Sequence, residues 1–270
     1  MEHLFLLEWL IPLEPSVTVM AATCVTAILY LRGCRTQQLS SWRIVAFWFG
    51  LLLMYLIAQT QFDYYSEHAF FMHRIQQSVL HHVGPFLIAL SSPGVALSAG
   101  LPANWRKNPG GLPKLKSVTR VVRFLNNPIV AVTLFCGVIF IWLPPPIHIV
   151  AMLDWHWYRI MNWSMAINGL MFWNLVLNSY SIRPAHLSAG CRIAMMLAVI
   201  PPQIVAGALL VFASREQYPI YSLCGAAFPL INWLLDQQIG GMILWIHGAM
   251  MSVIGILFVM YTEWMHPKRQ

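Results

Sequence analysis

Residues 72 to 93 read Met-His-Arg-Ile-Gln-Gln-Ser-Val-Leu-His-His-Val-Gly-Pro-Phe-Leu-Ile-Ala-Leu-Ser-Ser-Pro. The stretch is long and apolar enough to cross a bilayer, yet His73, Gln76, Gln77, His81 and His82 crowd its first half. Ionisable groups inside a span are costly and by default mark a functional site. At ~100° per residue, His73, Gln77 and His81 fall on one stripe, and His82 lies on roughly the opposite side from His73. Neutral imidazole binds copper, zinc and haem iron, and thioether sulfur suits Cu(I). An outer group of Met72 and His73 with His68 and His156 therefore predicts a soft-to-intermediate metal site. Asp63, Asp154 or Asp236 would orient its imidazoles from behind. His81 lies ~12 Å below His73, and His247 ~15 Å below the start of the last apolar stretch, so His81, His82 and His247 meet if those two helices touch. Pro85 cannot donate to the His81 carbonyl, which leaves that carbonyl free and bends the helix. Interface histidines that bond water or backbone are ordinary, and His3, His148, His186 and His266 are read that way. For His73 and His81 the packing and ligand readings both stand.

The elements that must position these groups follow from composition. The chain is 59% hydrophobic and 9% charged, with a mean hydropathy of +0.64; a soluble domain carries roughly 25% charged residues. This predicts an all-α, polytopic helical bundle in one integral membrane domain, residues 1–270. Seven spans are expected, at 16–31, 43–60, 72–93, 128–144, 156–178, 191–213 and 236–262. Pro128 suits the first turn of its helix. Pro144-Pro145-Pro146 is expected to stop the fourth span, with a short loop through His148 and Asp154, and Pro201-Pro202 to break the sixth. Residues 61 to 71 read as a polar, aromatic connection. Gly240-Gly241 would let the last span approach a neighbour closely, and Asp236 doubles as a candidate N-cap for it.

Thirteen of the 16 Lys and Arg fall on one side of this layout, together with the C-terminal tail. The positive-inside rule then puts the N-terminus outside and the C-terminus in the cytoplasm. The net charge of +7 thus speaks to topology, and no nucleic-acid partner is expected. The first 15 residues carry three Glu and no Lys or Arg, so they are read as an interfacial helix, without the basic n-region of a signal peptide. The five cysteines, with no CxxC, read as packing residues. So do most of the methionines, Met72 excepted. Tryptophans mark the interfaces, with Trp173 and Trp245 facing the interior. Carboxylates sit at span ends, which weighs against a proton-coupled transporter, although His81, His82 and His247 could relay protons. The same three histidines leave a haem- or quinone-linked redox role open. No hydrolase triad, nucleotide loop or HExxH is present.

Span three resembles the signature of the Bacillus-type CtaG proteins, the caa3-type cytochrome c oxidase assembly factors, at Met72, His73, Gln76, Pro85 and Pro93. The likeness extends to Trp142-Leu-Pro, His156, Gly169-Leu-Met-Phe-Trp173, Pro201 and Gly207, and is strongest at Asp236-Gln-Gln-Ile-Gly-Gly-Met-Ile-Leu-Trp245. It covers about residue 61 to the end. It implies a non-enzymatic assembly factor for a haem-copper oxidase in the inner membrane. Such a factor would hold Cu(I) at the periplasmic half of the bilayer and pass it to an oxidase subunit. His73 and His156 are the implied ligands, with Met72 and His81 next; Asp63, Gln77, Asp236 and His247 are supporting groups. Gln77, Leu143 and Asn162 stand where the family pattern carries histidines. Gln and Asn are poor Cu(I) ligands, so the expected copper set is altered.

Overall fold

A computed structural model describes residues 15–102, 116–177, 187–223, 228 and 231–265. The protein is all-α, and no strand occurs among the described residues. The expected N-terminal interfacial segment, His3, His186, His266 and Cys224 lie outside them. The four described cysteines are free thiols; Cys136 is buried and Cys24 is exposed.

Two long apolar helices come first, α1 (Val17–Cys34) and α2 (Ser41–Gln59). The connection after α2 is helical, contrary to the sequence reading. Thr60 caps α3 (Gln61–His68) by accepting from the Phe62 N–H, which satisfies one of the orphan donors of its first turn. Ala69 then takes an extended conformation (φ −144°, ψ 130°) and resets the chain direction. The central helix α4 follows as Phe70–Ser78, a π turn at Val79–Val83, and Gly84–Leu90. A 77° bend leads to α5 (Gly94–Gly100), and α6 (Lys116–Leu125) precedes α7 (Pro128–Trp142).

The proline triplet ends α7 but does not start a loop. Pro145 and Pro146 occupy the first turn of a new helix, α8 (Pro145–Leu153), set at 76° to α7. The missing proline N–H is no loss there, because first-turn donors have no intrahelical partner. His148 consequently sits on a helix. Next comes α9 (Trp155–Leu177), then α10 (Ala189–Val211), which runs unbroken through Pro201 and Pro202. A short α11 (Ile220–Leu223) leads to α12, built as Trp233–Met242, a second π turn at Ile243–His247, and Gly248–Met265.

Four helices, α1, α2, α10 and α12, are long and apolar enough to cross a membrane alone, and there are up to six spans if each bent pair counts as one. The expected fifth span, α9, is 23 residues long but carries Asn162, Asn168 and Asn174, which dilute its hydropathy. It packs on α4, α7 and α8 and buries Tyr158, Met161, Met165, Phe172 and Trp173. Asn162 accepts from Gln77 at 2.8 Å, and Asn174 is exposed.

Close backbone approach fixes the helices around α4. A Cβ on Gly169 of α9 would collide with the His81 carbonyl of α4. Gly240 and Gly241 serve two neighbours. The first receives the Phe70 ring and Arg74 stem of α4, and the second lies against Leu210 and the Gly207 carbonyl of α10. Small residues at membrane helix crossings work in this way. At the far end of the bundle, Arg192 donates to the terminal carbonyls of α9, Val176 (2.5 Å) and Leu177 (3.3 Å), and pairs with Glu263 at 3.3 Å.

Candidate functional site

The end of the bundle where α4 begins gathers most of the polar chemistry. The first N–H groups of a helix lack intrahelical partners and carry partial positive charge. Asp236 answers both needs for α4. Its Oδ2 accepts from the Phe70 N–H (2.9 Å) and its Oδ1 from the Phe71 N–H (2.7 Å). It therefore caps a helix 166 residues earlier in the chain. Its own helix is capped by Asn232, which accepts from the Leu235 N–H at 2.8 Å. The reading of Asp236 as the cap of the last span is corrected accordingly.

One turn into α4 lies His73, with 0% of its surface exposed and neither ring nitrogen partnered. Its ring centroid is 5.0 Å from that of His148 and 6.2 Å from that of Tyr158. His148 is also fully buried, and both its nitrogens are engaged: Nδ1 lies 3.2 Å from the Trp142 carbonyl and Nε2 2.8 Å from the Tyr221 hydroxyl. A carbonyl can only accept, so Nδ1 carries the proton and Nε2 presents its lone pair to the Tyr221 O–H. A second-sphere carbonyl fixes the tautomer of a metal-binding histidine in the same manner.

Aromatic rings close the space. Phe70 stacks on Tyr218 at 4.4 Å, and Tyr218 donates to the Leu143 carbonyl at 2.6 Å. Burial pushes the Tyr218 hydroxyl up to about 12, against a smaller opposing pull from Arg74, so it remains a neutral donor. The Arg74 guanidinium lies over the Phe70 ring at 4.7 Å, and its Nε and one Nη have no hydrogen-bond partner. Asp63 braces the opposite wall: its Oδ1 is 2.7 Å from the Tyr158 hydroxyl and accepts from Gln76 at 2.5 Å.

A second group of histidines lies deeper, where the two π turns face each other. His82 and His247 approach to 5.8 Å between ring centroids, and His81 and His82 to 5.0 Å. Ser78 is hydrogen-bonded to His247 Nδ1. The depth match read from the sequence does correspond to a contact between α4 and α12. The His81 carbonyl that Pro85 leaves free accepts from Trp173 Nε1 at 3.2 Å. The His81 ring stacks on Phe135 at 4.0 Å. The cavity beside this group, lined by Gln77, Ser78, His81, His82 and Met165, has a volume of about 20 Å³. That admits a water but not a haem macrocycle.

The predicted ligands are thus distributed unevenly. His73 is joined by His148, which sequence reasoning assigned to an ordinary interface position. The available signal was the proline triplet, because Pro-Pro after a helix also marks the first turn of the next one. His156 is exposed at the bundle end, 3.2 Å from Asp154, and no described contact links it to His73. Its backbone N–H, above all, holds the Asp154 carboxyl below the usual range. Met72 is buried but points ~100° away from its neighbour His73 around the helix. His81 belongs to the deeper group. Among the described residues, no three His, Cys, Asp or Glu side chains converge to hold a metal ion.

Residues 27–266 match the sequence model of the cytochrome c oxidase caa3 assembly factor family, Caa3_CtaG. The chain belongs to that family. No curated protein and no solved structure matches it. Membership gives the departures noted above a physical context. Gln77 donates to Asn162 at 2.8 Å, so two positions that resemblance would fill with histidine touch each other and are replaced here by an amide pair. The third, Leu143, is buried in an apolar cluster with Phe70 and Tyr218. In this member of the Caa3_CtaG family, the amide pair takes no imidazole nitrogen into the space between α4 and α9.

Proposed function

We propose that this assembly factor holds Cu(I) as a transferable cargo between His73 and His148 and passes it to a subunit of a haem-copper oxidase. The positive-inside distribution of Lys and Arg in the sequence supports a position for this end of the bundle at the periplasmic half of the inner membrane. The role needs no bond-making catalysis beyond ligand exchange. The observation that carries the reading is His73, fully buried with both ring nitrogens unpartnered beside a histidine of fixed tautomer. Leaving a buried polar group unsatisfied costs about 1–3 kcal/mol, which a ligand bound to His73 would recover. The donors suit the cargo: two neutral imidazoles with no carboxylate between them favour a soft-to-intermediate ion over a hard one. His156, exposed and oriented by Asp154, is an entry ligand at the rim. Met72 and His81 stand outside the pair, and Asp236 and Asp63 hold its walls.

Elemental analysis of the purified protein under reducing conditions, after adding Cu(I) and removing the excess, tests this reading. About one copper per chain is expected, lost in His73→Ala or His148→Ala and kept in His81→Ala. No copper in the native protein, or unchanged copper in His73→Ala, overturns it.

A further inference from the structure

A cavity of about 530 Å³ lies between α1, α2, α4, α5 and α9, and no histidine lines it. The fastening of α1 shapes one wall. At one end of α1 the Ser16 N–H donates to the buried Gln59 Oε1 at 3.0 Å. At the other end α1 meets α5 backbone to backbone: a Cβ on Gly33 would collide with the Ala96 carbonyl, and one on Gly100 with the Leu29 carbonyl. Tyr30 stacks on Phe47 of α2 at 3.5 Å. Between these fastenings α1 lines the cavity with small side chains, Ala22, Thr23 and Thr26. The α9 wall is a stripe from Asn162 through Ala166 and Leu170 to Asn174, one residue for each helical turn.

The lining sets the chemistry of an occupant. Among its residues there is no Lys, Arg, His, Asp or Glu. A phosphate or a haem propionate would be buried there without a counter-ion, which is costly at low dielectric. The occupant is therefore neutral. It is also slender. Asn162 and Asn174 lie ~18 Å apart along α9, which spreads the volume over a cross-section of ~30 Å². A transmembrane helix, about 10–12 Å across with its side chains, needs roughly three times that section. A single hydrocarbon chain or a flat ring fits. Thr23 and Thr26 add hydroxyls at the middle of an apolar helix, and Asn162 adds an amide held in place through Oδ1, which accepts from Gln77 at 2.8 Å. A few placed polar groups in an apolar pocket fix a ligand's orientation. At that depth a phospholipid offers only methylenes, whereas a neutral carbonyl-bearing ring on an apolar chain offers acceptors.

We propose that this cavity binds one isoprenoid quinone, its ring carbonyls accepting from the Thr23 and Thr26 hydroxyls and the Asn162 amide, its chain lying along Leu170 towards Asn174. Phe47 and Trp163 supply aromatic surface for the ring. The proposal concerns binding alone and is independent of the copper reading.

The test uses the full chain in lipid nanodiscs, with protein-free discs as the partition control. The probes are 2-decyl-1,4-benzoquinone and decylbenzene, which carries the same chain without the carbonyls. Retention of about one quinone per chain above the control is expected, with a preference of at least about tenfold over decylbenzene. Ala22→Trp fills the cavity from the α1 side and should abolish retention of both probes. Thr23→Val/Thr26→Val keeps nearly the same shape and should lower quinone affinity at least about fivefold, the loss expected for one hydrogen bond, while decylbenzene is unaffected. Equal affinity for the two probes would reduce the cavity to a lodging for acyl chains and overturn the proposal. So would quinone retained undiminished in Ala22→Trp, or no retention above the protein-free discs. If Ala22→Trp does not fold, the double valine variant decides, and unchanged quinone affinity there overturns the assignment.

Discussion

The two histidine groups are each centred on α4, at His73 and at His81-His82 about two turns apart, and they are built on different terms. The deeper group is knitted into the fold. The His81 ring is stacked on Phe135, the His81 carbonyl is held by Trp173, and His247 is bonded to Ser78. His81 Nε2 and His82 Nδ1 lack protein partners, but they adjoin a cavity that can seat a water. The group at the start of α4 is the reverse. Its walls are fastened by Asp236, Asp63 and Tyr218, while His73 at its centre bonds to nothing. A histidine inside a span can thus be built into the packing, as His81 is on Phe135, or be buried with both nitrogens unpartnered, as His73 is. Replacing both kinds by leucine separates them most sharply. His73→Leu is expected to abolish copper retention while the melting temperature holds or rises, because an unpaired buried polar group is removed. His81→Leu should retain copper and melt lower. Elemental analysis beside a thermal melt reads both, and a His73→Leu protein that keeps its copper would erase the contrast.

Gly169→Leu attacks the deeper group alone. Its Cβ meets the His81 carbonyl, so α9 must move off α4. Overpacking of a tight crossing costs typically 1–3 kcal/mol, and the loss of the Trp173 bond adds about 1 kcal/mol. A drop of about 3 kcal/mol in an unfolding titration is expected, with copper affinity reduced far less. Equal damage to both would mean that the two groups are one cooperative unit.

Much of this was legible in the chain. The stripe on α4, the carbonyl freed by Pro85 and the close approach at Gly240-Gly241 all follow from local geometry, and each is found in contact with a neighbour. What the sequence could not supply was the identity of the neighbours. Trp173 fills the Pro85 gap from a helix 92 residues away, and no local signal marks it. Asp236 has the form of an N-cap, and only the fold reveals that it caps α4. The sequence places His148 in a loop because a proline triplet signals a helix stop and a helix start alike. The asparagines of α9 lower its hydropathy, yet its length and apolar residues still read as a span; that Asn162 meets Gln77 of α4 is visible only in the fold.

Asp236→Asn addresses the carboxylate that fastens the start of α4 beside His73. The amide keeps one acceptor but loses the charge that favours the α4 N-terminus and one of two charge-assisted bonds, each worth about 1.5–3 kcal/mol. A stability loss of about 2 kcal/mol is expected. Copper affinity should fall with it, because Phe70 and His73 lie in the turn that Asp236 pins. Weakened copper binding without loss of stability would assign Asp236 to the metal directly.

The smallest change is the most specific. Tyr221→Phe deletes only the hydroxyl that caps His148 Nε2, while the ring that packs beside Phe70 remains. Folding should weaken by about 1 kcal/mol, the net value of one buried hydrogen bond. Cu(I) no longer competes with that bond, so its affinity should rise about fivefold for the same free energy. The two effects have opposite signs, and that opposition marks a ligand held in reserve. In a histidine used only for packing, removal of its partner would lower stability and leave metal binding untouched. A chelator competition and an unfolding curve on the same Tyr221→Phe preparation therefore decide whether His148 Nε2 is a ligand position or a fastening of α8 to α11.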